Sequence, residues 1–386
     1  MFEYFPGNYV WNLAVIATLA NGGELAEIDE ACRPIRDAAA QGSDAGTSEF
    51  FDSWSAVADR LIGLGERDEA AGRAFSAGEK YRRAALYLIN ADRMQSVHAP
   101  DRRAHYERAI ALQHRAMRLA RDPVEIVEVP YGDASLPAYL YRAPGMDGAP
   151  APCLVVWNGF DSFKEQLLGA GLAQELARRG VSTLLVDQPG TGGALRLHGL
   201  HAVPETEGYG TACYEYLAGR DDVDPARIGI LGVSLGGYYA PRAAAFEERF
   251  ALVVSWGANH DWGEVQRRRL QREGENPVPH YWEHALWVWG QTSMAEFEKL
   301  WDRITLDGVV ERIGVPYLVV HGAADRQIPV EYAHRSYEQA TSSPKRELKV
   351  YTAEEGGVEH CNLDDPANPT SFIADWVAET FGHPVG

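Results

Sequence analysis

Five residues in the middle of the chain, Gly232-Val233-Ser234-Leu235-Gly236, have the spacing G-x-S-x-G. They follow an apolar stretch at 228–231 and precede a stretch of helical character at 235–247. Between a strand and a helix, this spacing forms a sharp turn that presents the serine hydroxyl above a sheet. Small residues let the backbone pass, and the helix N-terminus favours developing negative charge. The pattern predicts Ser234 as a nucleophile, and the alternative is an ordinary glycine-rich turn.

A serine nucleophile needs a base, and the base needs a carboxylate that orients it. After a strand–turn–helix serine, the acid and then the histidine are expected in chain order. Asp325 follows the apolar stretch 315–320 in the loop His-Gly-Ala-Ala-Asp, which predicts it as the acid. The alternative for Asp325 is a cap on the helix that starts near 330. Asp302 and Asp307 are weaker rivals because they do not follow a strand.

The base is predicted to be His360, which ends the loop Gly-Gly-Val-Glu-His after the last apolar stretch. Glycines in that loop let the imidazole reach the serine. His321 precedes the predicted acid at a strand end, so we expect a core or loop role, and His383 lies near a terminus. Beside the base, we expect Glu359 to be solvated and Cys361 to be buried.

Acyl transfer also needs two backbone N–H groups that bind the oxyanion. We expect one from Leu235, directly after the nucleophile, and the other from Phe160, in the loop after the apolar stretch 153–157. A second glycine-rich loop, Asp187-Gln-Pro-Gly-Thr-Gly, lacks the lysine of a phosphate loop and the full G-x-G-x-x-G. The sequence therefore predicts no nucleotide, no other cofactor and no metal.

The elements that must position these residues change in character near residue 123. Residues 1–123 have helical periodicity, at 9–20, 51–62, 67–92 and 100–121. From residue 124 onward, apolar stretches alternate with helical ones, which predicts a mostly parallel sheet with helices on both faces. The expected strands are 124–131, 136–142, 153–157, 181–186, 228–231, 251–256, 315–320 and 348–351, and the expected helices are 164–179, 206–219, 235–247, 330–341 and 370–381.

An aromatic-rich insert, 257–305, interrupts this alternation. It holds five of the ten tryptophans of the chain. Such a cluster forms either when helices pack together or when aromatic side chains line an apolar pocket. Both alternatives are open on the sequence.

Composition excludes several classes of function. The formal net charge is −19, which disfavours nucleic acid and anionic membrane surfaces as partners; otherwise this charge indicates solubility. The four cysteines form no C-x-x-C pair, so we expect free thiols and a cytoplasmic location. The apolar stretch 9–20 has no basic residue before it and is too short to span a bilayer.

The order of these motifs resembles that of the α/β-hydrolase superfamily over residues 126–386. Asn-Gly-Phe-Asp-Ser-Phe-Lys-Glu at 158–165 and the long helical N-terminal region resemble a smaller group within it, which contains pseudooxynicotine-type C–C hydrolases, fungal polyketide-shortening hydrolases and fermentation-respiration switch protein-like esterases. The resemblance implies an α/β-hydrolase fold at 124–386, and a helical lid at 1–123.

The same resemblance implies a Ser-Asp-His hydrolase, commonly dimeric, that cleaves a C–C bond beside a ketone, or an ester. We expect an aromatic or apolar small molecule as its substrate. The group has an additional pocket acid, for which Asp261 and Glu264 are the candidates; Trp262 and Tyr238 are further candidates for the substrate pocket. An acyltransferase or cyclase on the same triad is the main alternative, and a non-catalytic ligand binder is another.

Overall fold

The computed structural model describes residues 2–40, 46–144, 149–272 and 278–383. The remaining residues of the predicted helical region, insert and C-terminus lie outside the described residues. The chain divides into two compact units. A helical unit comprises Met1–Asp122 with Gln271–Trp287, and a sheet unit comprises Pro123–Leu270 with Val288–Gly386.

The helical unit is built on apolar helices packed around buried aromatic rings. Ten of the twelve residues of its first helix are buried, and the Asn8 side chain caps that helix by accepting a hydrogen bond from the Trp11 N–H. The Trp11 and Phe50 rings lie 5.0 Å apart, and the Trp54 and Tyr87 rings 5.7 Å apart. Its helices are α1 (Tyr9–Ala20), α2 (Leu25–Cys32), α3 (Arg36–Ala39), α4 (Thr47–Ala70), α5 (Ala74–Asp92) and α6 (Arg102–Ala120).

The predicted helical stretch 67–92 belongs to two helices rather than one. α4 ends at Ala70 and α5 begins at Ala74, and Gly72 between them has a φ of +74°. Glycine adopts this left-handed conformation without steric cost, so the chain can reverse there.

Part of the aromatic insert completes the helical unit. The Glu283 carboxylate accepts hydrogen bonds from the Ser96 hydroxyl and from the Val97 N–H, the latter at 2.5 Å. The Arg102 guanidinium lies over the Trp287 ring, 5.3 Å from its centroid. The division therefore differs from a single boundary near residue 123, because these contacts hold Gln271–Trp287 against the N-terminal helices.

The described residues of the sheet unit contain eight strands, which are β1 (Val124–Tyr131), β2 (Ala134–Tyr141), β3 (Ala151–Trp157), β4 (Ser182–Val186), β5 (Val223–Val233), β6 (Val253–Trp256), β7 (Tyr317–Gly322) and β8 (Arg346–Tyr351). They form one sheet of order β1-β2-β4-β3-β5-β6-β7-β8. β1 and β2 form an antiparallel hairpin, β2 is antiparallel to β4, and the remaining pairs are parallel.

Helices cover this sheet, as the alternating sequence pattern predicts. α8 packs against α16, and α11 packs against β5 and β6. The helices are α7 (Lys164–Gly169), α8 (Leu172–Arg178), α9 (Gly192–Arg196), α10 (Glu207–Ala218), α11 (Gly236–Phe246), α12 (Trp262–Gln271), α13 (Tyr281–Val288, shared with the helical unit), α14 (Met294–Trp301), α15 (Val330–Gln339) and α16 (Ala367–Thr380). In the described ranges, none of the helices combines the length and apolar character needed to cross a lipid bilayer.

The central strands explain why polar side chains collect at one edge of the sheet. Every residue of β4, β6 and β7 is buried, as expected for parallel strands covered on both faces. Polar groups are therefore carried by the loops after the strands. The carboxyl ends of neighbouring parallel strands lie at the same edge, which is where open α/β sheets bind ligands.

Candidate active site

Ser234 lies in the tight turn between β5 and α11. Its φ is +59°, in the left-handed region that non-glycine residues seldom adopt. Its N–H donates to the Trp256 carbonyl at 2.8 Å, and its own carbonyl accepts from the Gly237 N–H at 2.8 Å. A β-carbon on Gly232 would lie 1.9 Å from the Gly236 carbonyl oxygen, so position 232 admits only glycine. The glycine spacing thus follows from the close approach of backbone within the turn.

His360 and Asp325 lie beside this serine, as the sequence analysis expected of a base and its orienting acid. The His360 Nε2 is 2.8 Å from the Ser234 Oγ, and the His360 Nδ1 is 2.8 Å from the Asp325 Oδ2. The other carboxylate oxygen of Asp325 accepts from the backbone N–H groups of Gln327 and Ile328, at 2.7 and 3.0 Å. Loops after β5, β7 and β8 therefore bring one hydroxyl, one carboxylate and one imidazole into a single hydrogen-bonded chain.

The charges of this chain favour a proton on the imidazole rather than on the carboxyl. Burial alone would raise the pKa of Asp325, but the positive charge and hydrogen bond of His360 outweigh burial and lower it. Burial alone would lower the pKa of His360, but Asp325 outweighs burial and raises it well above its ordinary value. When the imidazole is neutral, its Nδ1–H is directed at the carboxylate, and Nε2 is then free to accept the Ser234 proton.

The rival acids and His383 are engaged elsewhere, whereas His321 lies next to Asp325, with its Nε2 3.7 Å from the Asp325 Oδ2. The Asp302 carboxylate pairs with Arg267, and Asp307 pairs with His260 and Arg335. His321 is fully buried; its Nδ1 accepts from the Ala258 N–H and its Nε2 donates to the Ile328 carbonyl, which is the core role expected of it. His383 lies 2.6 Å from the Arg227 guanidinium.

The two neighbours of His360 are both buried. The burial of Cys361 agrees with the expectation from the sequence, and its Sγ lies 3.6 Å from the His360 Nε2. The expectation that Glu359 is solvated was wrong, since only 2% of this residue is exposed. Its backbone N–H donates to Asp364, and its carboxylate lies 3.5 Å from the Arg326 guanidinium, so the loop turns the side chain inward.

Residues 158–163, here called the oxyanion loop, connect β3 to α7 and approach the serine closely. A β-carbon on Gly159 would lie 2.8 Å from the Ser234 Cβ and 3.2 Å from its Oγ. The loop therefore contains the predicted donor Phe160 one residue beyond the point of contact. Leu235 lies directly after the serine at the start of α11. The oxyanion roles of Phe160 and Leu235 stay predictions.

A buried ion pair next to this loop was not predicted from the sequence. The Lys164 Nζ lies 2.9 Å from the Asp187 Oδ2, and their side chains are 4% and 0% exposed. The sequence predicted Asp187 only as part of a glycine-rich loop, which was rejected as a phosphate loop and counted among the α/β-hydrolase motifs, and predicted no ion pair for it. One available signal was a carboxylate directly after β4, whose residues are all buried; a charge at such a position needs a partner of opposite sign.

The aromatic residues of the insert that belong to the sheet unit pack against the oxyanion loop. The Trp262 ring is 5.6 Å from the Phe160 ring, 5.4 Å from Trp289 and 5.7 Å from Phe297. Tyr238, another pocket candidate, is fully buried, and its hydroxyl donates to the Pro204 carbonyl. Its predicted place in a substrate pocket stays a prediction, as does that of Trp262.

The two candidate pocket acids are held in local interactions. The Asp261 Oδ1 accepts from the Glu264 N–H at 2.7 Å, at the first turn of α12. The Glu264 carboxylate accepts from the Tyr332 hydroxyl at 2.6 Å and pairs with Arg268. The Tyr332 hydrogen bond, assisted by Arg268, holds the pKa of Glu264 below its ordinary value. Glu264 is therefore held as a carboxylate, and a catalytic role for either acid stays a prediction.

Comparison with known proteins places these motifs in a family. The model of the prolyl oligopeptidase family matches residues 205–383. Hydrolase acrC of Aspergillus aculeatus is 30% identical over 370 residues, covering 84% of this chain and 84% of that protein. The chain belongs to the α/β-hydrolase family. This confirms the resemblance predicted from the motifs, and membership in the family makes the protein a hydrolase.

Other relatives extend the similarity over most of the chain. The 2,6-dihydropseudooxynicotine hydrolase of Paenarthrobacter nicotinovorans is 27% identical over 333 residues, covering 85% of this chain and 83% of that protein. The crystal structure of a 2,6-dihydroxy-pseudo-oxynicotine hydrolase has a TM-score of 0.75 at 24% identity, with 95% of each chain covered. AbyA5 has a TM-score of 0.67 at 19% identity, covering 98% of this chain and 96% of that one. At these identities, the two structures confirm the α/β-hydrolase fold.

Proposed function

We propose that this protein is a serine hydrolase that forms an acyl-enzyme on Ser234, with His360 as general base and Asp325 as the residue that orients it. The observation that carries the proposal is the hydrogen-bonded chain, in which Oγ to Nε2 and Nδ1 to Oδ2 both measure 2.8 Å. These are the contacts that a nucleophile, its base and an orienting acid need.

In the proposed reaction, His360 Nε2 takes the Ser234 proton while Oγ attacks a substrate carbonyl. The oxyanion is held by the N–H groups of Phe160 and Leu235. When the tetrahedral intermediate collapses, the bond from carbonyl carbon to leaving group breaks, and His360 gives its proton to that group. Water, deprotonated by the same imidazole, then adds to the acyl-enzyme and releases a carboxylic acid and the free serine.

The substrate class we propose is an aromatic or polyketide-like small molecule, cleaved at a C–C bond beside a ketone or at an ester. Support comes from the named substrate of the pseudooxynicotine relative and from the Phe160–Trp262–Trp289 cluster, which begins on the oxyanion loop itself. Aromatic walls bind planar apolar groups. A C–C leaving group departs as a carbanion or enolate, so the substrate needs a second carbonyl or an electron-poor ring to delocalise that charge.

The test compares Ser234→Ala with Ser336→Ala on a panel of aryl ketones, 1,3-diketones and aryl esters. Ser336 is a matched control because its Oγ also lies 2.8 Å from a histidine nitrogen, the Nδ1 of His260, but the residue is fully buried. We expect kcat of Ser234→Ala to fall at least about 10⁴-fold, and we expect this variant to resist labelling by a fluorophosphonate probe. Ser336→Ala should keep both its turnover and its labelling by the probe. Undiminished turnover by Ser234→Ala would remove this serine from the mechanism.

The same panel separates the proposed reaction from its alternatives. If an acyltransferase or cyclase operates on the triad, adding alcohols or amines diverts the acyl group from the acid product to a new ester or amide. If the protein only binds ligands, the wild type resists the probe while ligands still bind. Cytoplasmic location, a homodimer and a lid formed by residues 1–123 stay predictions.

A further inference from the structure

We propose that the buried pair Lys164–Asp187 positions the oxyanion loop for catalysis. The inference rests on the proposed function, because that function assigns an oxyanion donor to the loop. Neither side chain is assigned to the reacting atoms, so both are positioning residues. Their effect would be on the placement of the loop relative to Ser234.

The first step of the argument is that Asp187 joins both ends of the loop. Its Oδ1 accepts from the Asn158 side-chain amide at 3.1 Å and from the Lys164 backbone N–H at 2.8 Å. Asn158 is the first residue of the loop, and Lys164 directly follows its last. The other oxygen, Oδ2, accepts from the Lys164 Nζ at 2.9 Å and from the Gly193 N–H at 2.8 Å. A single carboxylate thus holds the loop closed against α9.

The second step is that Lys164 has a second buried partner, the Glu165 carboxylate. The Lys164 Nζ also lies 2.7 Å from the Glu165 Oε1, which accepts from the Tyr139 hydroxyl at 2.7 Å. Burial alone would lower the pKa of Lys164, but the charges and hydrogen bonds of Asp187 and Glu165 together outweigh burial and raise it. The lysine therefore stays charged, and the loop is fastened through charge-assisted hydrogen bonds, which are the stronger kind.

The third step is that the loop has little freedom at the serine. Gly159 approaches Ser234 so closely that an added β-carbon would lie 2.8 Å from the serine Cβ. Within the loop, the Ser162 Oγ accepts from the Gly159 N–H at 2.8 Å. A donor works only near its designed distance from the oxyanion, and a displacement of about 1 Å can cost about 10²-fold in rate. A loosened loop would therefore lower kcat before it lowered substrate binding.

The experiment uses the full-length protein and three variants: Lys164→Met, the double variant Lys164→Met/Asp187→Asn, and Arg179→Met. Lys164→Met leaves the Asp187 and Glu165 carboxylates buried without their shared cation, whereas the double variant leaves only the Glu165 carboxylate without it. Arg179→Met is the control, since the ion pairs of Arg179 with Glu175 and Asp375 join α8 to α16. Each protein is assayed for melting temperature, kcat, KM and the inhibition constant of phenylboronic acid, whose tetrahedral serine adduct occupies the oxyanion site.

We expect kcat of the double variant to fall about 10- to 100-fold, KM to change less than about threefold, and phenylboronic acid to bind more weakly by a factor similar to the loss in kcat. The melting temperature of the double variant should exceed that of Lys164→Met. If the pair were only structural, kcat and boronate affinity would recover together with stability, and that result would overturn the proposal. Arg179→Met should lose stability but keep its boronate affinity.

Three further outcomes complete the test and keep the two proposals separate. If the charge variants do not fold, Tyr139→Phe removes only the hydroxyl that holds Glu165 against Lys164; unchanged boronate affinity in this variant would count against the positioning role. If Ser234→Ala keeps full turnover, the proposed function itself fails. If Ser234→Ala is inactive and the double variant is as active as wild type, only the inference about Lys164–Asp187 fails.

Discussion

The reactive geometry of Ser234 requires a backbone conformation that costs free energy. A φ of +59° at a residue with a β-carbon costs on the order of 1–3 kcal/mol, and such conformations collect at functional sites. The turn is held by the hydrogen bonds from the Ser234 N–H to Trp256 and from the Gly237 N–H to the Ser234 carbonyl. A residue in this conformation points its side chain away from the close-packed backbone, which leaves Oγ in reach of His360.

Ser234→Gly should therefore be more stable than Ser234→Ala. Both variants lack the hydroxyl, so their comparison isolates the β-carbon. Glycine relieves the left-handed strain but gives the unfolded chain more freedom, and we expect a net difference of about 1 kcal/mol in the free energy of unfolding. Urea denaturation of the two proteins measures it. If Ser234→Gly were less stable than Ser234→Ala by the entropic cost of glycine, the turn would store no strain at this residue.

Asp325→Asn should change both the rate and its pH dependence. His360 acts as a base only when neutral, so kcat/KM of the wild type should rise with pH through a midpoint above the ordinary histidine value of 6.5. Without the aspartate charge, burial lowers that pKa, and the midpoint should shift to lower pH while kcat falls by roughly 10³–10⁴-fold.

The measurement is kcat/KM from pH 5 to 9 for wild type, Asp325→Asn and the control Asp302→Asn. Asp302 is exposed and paired with Arg267, so its loss should leave the profile in place. A profile of Asp325→Asn that keeps the wild-type midpoint would contradict the assigned role of this carboxylate.

The residues of the candidate site differ in how far the sequence could predict them. Ser234 and its flanking glycines are predictable because a local turn imposes the spacing, and Asp325 and His360 because each follows a strand. The burial of Glu359 and the pairing of Lys164 with Asp187 depend on distant chain segments meeting. Local sequence spacing carries no information about such long-range contacts. A charged side chain is therefore predicted to be exposed to solvent unless a local pattern indicates otherwise.

At the scale of elements, continuous apolar runs predict strands well, and breaks inside helical patterns are missed. All eight strands lie where apolar stretches predict them, with shifted ends. The predicted helix 164–179 is instead α7 and α8, separated at Gly171, whose φ is +85°. α9 lies in a part of the chain where the sequence predicted no helix. The break at Gly171 is a local left-handed turn, because a β-carbon there would meet nothing within 4 Å, whereas Gly192 at the start of α9 lies against the Asp187 side chain. Periodicity alone reports neither feature.

The tight approach of the oxyanion loop predicts that Gly159→Ala is severely impaired. The added methyl would collide with the Ser234 side chain, so either the loop or the serine must move. We expect kcat to fall by about 10² or more, because donor and nucleophile lose their mutual geometry. Gly314→Ala is the control, since a β-carbon there meets nothing within 4 Å. Comparable activity of the two variants would contradict the close approach.

At the scale of the whole molecule, Glu283 ties the insert to the N-terminal helices. Burial alone would raise the pKa of Glu283, but hydrogen bonds from Ser96 and Val97 outweigh burial and lower it. His280, 3.5 Å away, adds to this when protonated. A carboxyl whose pKa is lowered on folding contributes stability above its ordinary value of 4.5, and that contribution is lost as pH falls through the lowered pKa.

Glu283→Gln should therefore lower the melting temperature at pH 7, and the difference from wild type should narrow below about pH 4.5. We expect a loss of about 1.5–3 kcal/mol in stability at neutral pH, the range for hydrogen bonds to a charged group. The exposed Glu298 provides the control variant Glu298→Gln. A difference that stays constant with pH would show that the Glu283 charge does not stabilise this attachment.

The membership of Gln271–Trp287 in the helical unit has a consequence for biosynthesis. Residues 1–122 leave the ribosome first, but the carboxylate that Ser96 and Val97 require is not yet translated. At roughly 5–20 residues per second, synthesis reaches that segment roughly 10–30 s later. Until then, water takes the place of that carboxylate at the Ser96 hydroxyl and the Val97 N–H. A ribosome stalled before Glu283 would release an N-terminal fragment with an unfilled surface, which is a natural substrate for chaperones and proteases.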